Sequence, residues 1–189
     1  MDRKLKHGMW IVVQTLMLFV ALSVISGAAI GQESEKPWRQ FELTGKVVTV
    51  APELGEAGVR SYEVLAEEAG LAVARLSVNR NGVLSDAWKT DLDNDGNPEI
   101  VVVVGQLKGG NTGSADIHEW DGHKFASVRA TQKIASEGAA YDGHDQYHIV
   151  DGKLVREFPR FTSSGGSKVP SGEKARYQYD MQSGQWISL

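Results

Sequence analysis

The sequence predicts an all-β fold, an antiparallel β-sandwich of about eight or more short strands, on three observations. Apolar residues beyond Gln32 alternate with polar ones, which is the strand period rather than the helical one. Gly-centred turns punctuate the chain at Asp121-Gly122, Asp151-Gly152 and Gln182-Ser183-Gly184. No recurring helices separate the strand-like runs, so a parallel α/β layout has no support.

Taken in order, Trp38–Leu43 and Lys46–Val50 suggest an opening strand pair or one bent strand. Ser61–Ala69 carries helix-favouring residues and reads as a short, weak helix. Leu71–Val78 alternates cleanly and ends in the turn Asn79–Gly82. Glu99–Val104 is the strongest strand, because four consecutive Val favour β structure and leave no polar residue for a wet face. That strand is expected to be central and covered on both sides. Ala115–Trp120 and Lys124–Thr131 flank Asp121-Gly122 as a hairpin, followed by a second weak helical stretch at Thr131–Ala140. His144–Val150 and Lys153–Phe161 form the next hairpin, and Ala175–Met181 with Gln185–Leu189 the last. Thr162–Lys174, rich in Ser, Thr and Gly, reads as a surface loop, as does Leu107–Gly113. No internal repeat is visible.

Composition narrows the classes. The absence of Cys excludes disulfides, thiolate metal sites and a cysteine nucleophile. A formal charge of −4 argues against a nucleic-acid binder. Residues 1–31 read as a cleaved secretory signal: Arg3, Lys4 and Lys6 precede the apolar stretch Met9–Ile25, and Ala29-Ile30-Gly31 offers a small-x-small cleavage site before Gln32. Export to the periplasm or the medium is therefore expected, with no membrane span after processing. Without residues 1–31, which hold three Lys/Arg and one Asp, the charge becomes −6. Residues 32–189 form a single domain, long enough to bury roughly 70% of its unfolded surface.

The sharpest local motif is Asp91-Leu92-Asp93-Asn94-Asp95-Gly96-Asn97-Pro98-Glu99. Carboxylates at alternate positions 91, 93 and 95 converge if Gly96 turns the chain, and oxygen ligands suit a hard cation such as Ca²⁺. An EF-hand is excluded, since its twelfth position falls on Val102, so Glu99 would have to supply the further acid. Asx turns that cap local backbone N–H groups explain the same residues without any metal. No catalytic residue emerges: no Ser sits in a nucleophile elbow, and His118, His123, His144 and His148 lack the spacing of a metal helix. Trp38, Trp88, Trp120 and Trp186 read as packing residues.

Tyr141–Tyr147, Gly152–Pro159, Pro170-Ser171-Gly172, Gln178-Tyr179 and Gly184-Gln185-Trp186 together resemble the periplasmic inhibitors of I-type lysozymes. Asp91–Glu99 and the Val strand after it fit the same pattern, so the resemblance covers about Asp86–Leu189. It implies a small exported β-sandwich without catalysis that blocks a lysozyme cleft by inserting loops. The corresponding loops are Lys108-Gly109-Gly110-Asn111-Thr112-Gly113-Ser114 and Pro170-Ser171-Gly172, with Arg176 beyond. The contact residues implied are Lys108, Gly109, Gly110, Asn111, Thr112, Ser114, Pro170, Ser171 and Arg176. The first loop departs from the family by lacking its Tyr, so no Ser/Tyr pair carries over. Arg176 stands one residue later than in the family, which in a strand turns it to the other face unless a bulge intervenes. Lysozyme is the implied partner. The alternative is a calcium-stabilised envelope module that binds glycan or peptidoglycan, and the sequence leaves the oligomeric state open, a homodimer included.

Overall fold

A computed structural model of the chain describes residues 38–54, 60–80, 82–105, 112–126, 129–130, 134 and 138–189. The expected signal at residues 1–31 and its cleavage site lie outside the described residues. Among the described residues, twelve strands build three antiparallel sheets, each a meander of consecutive strands. Sheet one holds β1 (Arg39–Leu43), β2 (Lys46–Leu54), β3 (Arg60–Glu68) and β4 (Leu71–Asn79). Sheet two holds β5 (Val83–Thr90), β6 (Glu99–Gly105), β7 (Gly113–Glu119) and β8 (Arg129–Ala130). Sheet three holds β9 (Gln146–Val150), β10 (Lys153–Ser164), β11 (Ser167–Asp180) and β12 (Gln185–Ser188). The all-β antiparallel class is as expected, and the sandwich has three layers.

Sheet two is the middle layer, and β6 explains why. Ile100, Val102 and Val104 enter a core with Val48, Val50, Val64 and Ala66 of sheet one. Val101 and Val103 point the other way, into a core with Leu154, Tyr179 and Met181 of sheet three. A strand dry on both faces can have no polar alternate except one that is partnered, which is what the four Val signalled. Each fully buried Val contributes roughly 1.5–3 kcal/mol relative to exposure. Between sheets one and two, Arg39 also pairs with Asp86 at 3.0 Å and Lys89 donates to the Glu42 carbonyl at 2.7 Å.

Three sequence expectations are corrected. Ser61–Ala69 is not helical: Arg60–Glu68 is β3, with Tyr62, Val64 and Ala66 buried on one face and paired to β2 and β4. Of Thr131–Ala140, only Gly138–Ala140 is described as helical, a single 3₁₀ turn, while most of the remainder lies outside the described residues. Thr162–Lys174 is not a loop but the paired outer half of β10 and β11. The hairpin around Asp121-Gly122 is present but short, closed by the Trp120–Phe125 bridge and by Asp121 N–H donating to the Lys124 carbonyl at 3.2 Å.

Candidate functional site

β10 and β11 are the longest strands, and their partners stop short. β9 covers only Lys153–Glu157, and β12 only Tyr177–Asp180. From Pro159 to Lys174 the two strands pair only with each other among the described residues, so they leave the sheet as a two-stranded arm. Residues 162–174 are exposed throughout. The pairing register shifts between Pro159 and Phe161, where Pro159 faces Lys174 but Phe161 faces Pro170. This bulge is built by Ser171, whose Oγ donates to the Arg160 carbonyl at 3.1 Å and accepts the Glu173 N–H at 3.2 Å, and by Gly172 at φ 86°. Beyond it Arg176 stands opposite Glu157, paired to it at 3.0 Å on the wet face, while Ala175 and Tyr177 turn inward.

The arm carries Arg160, Lys168 and Lys174 against one acid, Glu173, with the Arg176–Glu157 pair at its root. Lys168 is tied back to Asp142 at 3.0 Å and to the Tyr141 carbonyl at 2.7 Å. At the root of the arm a groove of about 310 Å³ is lined by His144, Gln146, Phe158, Phe161, Pro170 and Lys174. His144 stacks on Phe161 with ring centroids 6.0 Å apart.

The entry to β7 is fixed against the same sheet. The wholly buried carboxylate of Asp145 accepts hydrogen bonds from Arg156 Nε at 2.8 Å, the Tyr141 hydroxyl at 2.6 Å and the Gly113 N–H at 2.8 Å. Tyr147 donates its hydroxyl to the Gly113 carbonyl at 2.9 Å. Gly is required by close approach here, since a Cβ on residue 113 would lie 2.9 Å from Tyr147 Cε2. Of the first expected contact loop, Lys108, Gly109, Gly110 and Asn111 lie outside the described residues. Thr112 is half-buried, with its hydroxyl oxygen buried and without a hydrogen-bond partner. Ser114 belongs to β7, opposite Val104, and is a strand residue rather than a loop residue.

The acidic turn joins β5 to β6. Asp91 accepts the Asp95 and Gly96 N–H groups at 3.2 and 3.1 Å, one on each carboxylate oxygen. Asp93 also accepts the Asp95 N–H, at 3.4 Å. Gly96, at φ 91°, lets the chain turn back. Glu99 is wholly buried: its Oε2 accepts the Leu92 N–H at 2.6 Å, and its Oε1 has no hydrogen-bond partner. Burial pushes the Glu99 carboxyl up to about 7, with Asp93 and Asp91 adding to the rise and the Leu92 N–H opposing it. One oxygen from each of Asp91, Asp93 and Glu99 lies within 4.8 Å of the others. Asp95 does not join them; its carboxylate accepts the Asn97 N–H at 2.7 Å and Nδ2 at 3.0 Å.

Sequence reasoning missed a buried polar network between sheets one and two. Arg80, just after β4, grips Asp116 of β7 through Nε at 2.8 Å and Nη2 at 2.9 Å. Tyr62 of β3 donates its hydroxyl to Asp116 at 2.7 Å and lies 2.6 Å from His118 Nε2. The hydroxyl has one proton and gives it to Asp116, so Nε2 must carry its own, leaving the buried Nδ1 a bare acceptor without a partner. Burial holds His118 down to about 4 and, with the Asp116 charge, raises Tyr62 well above its usual range. In sequence, Asp116 and His118 look like the wet face of a hairpin.

No protein-family model matches this chain, and a search of curated proteins returns no match.

Proposed function

We propose that the chain is an exported, non-catalytic binding protein that presents the β10–β11 arm, together with the segment before Gly113, to the cleft of a lysozyme. The observation that carries this reading is the arm itself. It leaves the sheet with exposed residues on both strands and three basic side chains, Arg160, Lys168 and Lys174, on a chain whose expected mature charge is −6. Glycoside hydrolases work with paired carboxylates in a cleft, and a basic ribbon complements such a cleft in charge and in shape. Pro170 and Ser171, expected as contacts, sit at the bulge that sets the arm's course. Arg176 lies at its root, held by Glu157.

The test is cell-wall clearing by I-, c- and g-type lysozymes with increasing amounts of the purified protein. Inhibition of at least one class is expected, weakened about tenfold or more by the pair Arg160→Glu and Lys174→Glu and by raised salt. Full lysozyme activity in a large molar excess of the protein overturns the reading. Retention on insoluble peptidoglycan without inhibition would favour a glycan-binding envelope module instead.

A further inference from the structure

Glu99 is an anomaly that the partner reading does not use. A carboxylate with no exposure, one oxygen unpartnered and two further carboxylates beside it is the reverse of what burial favours. Its other oxygen takes a single backbone N–H, from Leu92. Lys153 spends its Nζ on the Leu92 carbonyl at 2.5 Å rather than on a carboxylate.

We propose that the β5–β6 turn is a calcium site in which Asp91, Asp93 and Glu99 each give a carboxylate oxygen, with the buried Glu99 oxygen as its anchor. The spacing fits. Oxygens on opposite sides of one Ca²⁺ stand roughly 4.6–5.2 Å apart, given ligand distances of about 2.3–2.6 Å, and the three here lie within 4.8 Å of one another. The donors are all oxygen, which selects a hard cation over zinc or copper. The backbone N–H groups on Asp91 and Asp93 take one lone pair from each oxygen they touch and orient the rest. Asp95 takes no part as a ligand; it holds Asn97, and thereby the chain on the way to Glu99. A site made of one loop and the first residue of a central strand would fasten the turn to the middle layer. Magnesium, which demands a tighter octahedron and keeps its waters, fits less well.

The experiment uses the purified protein in EDTA at pH 8, titrated with CaCl₂ or MgCl₂ and followed by thermal unfolding and calorimetry. One Ca²⁺ per chain is expected, with the melting temperature rising by about 5–10 °C at a hundredfold excess over Kd and a smaller rise with Mg²⁺. Glu99→Gln, nearly identical in shape, should melt no lower than the parent in EDTA and should lose the calcium response. Asp93→Asn, at an exposed position, should weaken binding at least tenfold and serves if the first variant does not fold. An unchanged melting temperature in millimolar Ca²⁺, or variants that respond as fully as the parent, overturns the proposal. Calorimetry reads this site and the clearing assay reads the partner, so either idea can fail alone.

Discussion

Asp116 has no exposed surface, yet Arg80 meets it with two nitrogens while Tyr62 caps it from another sheet. The two partners contribute unequally. Arg80→Met should destabilise the protein by about 3–5 kcal/mol, because it leaves a buried carboxylate without its counter-charge. Tyr62→Phe removes one neutral donor and should cost about 1–3 kcal/mol. Denaturant melts of the two variants check the order, and equal losses would overturn it. None of this is legible locally. Asp116 and His118 alternate with Ala115 and Ile117 as polar residues on an ordinary half-wet strand would, and their partners stand far away in the chain, at Tyr62 and Arg80. Only a structure brings the two segments together.

At the level of elements, the arm and β6 are opposites. Residues 162–174 are exposed and outside the three hydrophobic cores, whereas every side chain of β6 from Glu99 to Val104 is buried. Replacing Thr162–Val169 by a two-residue Asn-Gly turn, which keeps the buried Phe161 paired with Pro170, should therefore shift the melting temperature by no more than about 4 °C while abolishing lysozyme inhibition. A shortened protein that still inhibits would place the contact elsewhere. The same contrast explains what could be read in advance. β6 announces itself through four Val, and the Asp151-Gly152 and Gly184 turns fix their hairpins. β3 hides behind Glu, Ala and Leu, whose helical propensity outweighs the Tyr62, Val64, Ala66 alternation that actually decides its face. The arm hides because a ribbon with water on both faces has no hydrophobic pattern to detect. The acidic turn was found by its spacing, but not which acid stands apart: Asp95 shares the alternate position of its neighbours and is diverted by Asn97.

Across the whole molecule, acid should act through the layer between sheets one and two. His118 is held at about 4 in the folded protein against an ordinary 6.5, so the unfolded chain binds the extra proton first. Its stabilising share is complete above about pH 6.5 and is lost as the pH falls through 4, a change of roughly 3 kcal/mol. Tyr62, Asp116 and Arg80 are the ionisable groups around it. Glu99, raised to about 7, works in the opposite sense over much of the same range. The clean reading is thus the difference between the parent and His118→Gln, measured by denaturant melts from pH 4 to 7. That difference should narrow steadily toward acid, and a constant gap would show that His118 does not titrate with unfolding. A last consequence comes from the order of the strands. Among the described residues each sheet is a run of consecutive strands, so no pairing there waits for a segment from far along the chain. Loop closure, the slow entropic step for most all-β proteins, is here kept short three times over. Each meander can zip locally, and the decisive late event becomes the docking of finished sheets onto the two dry faces of β6.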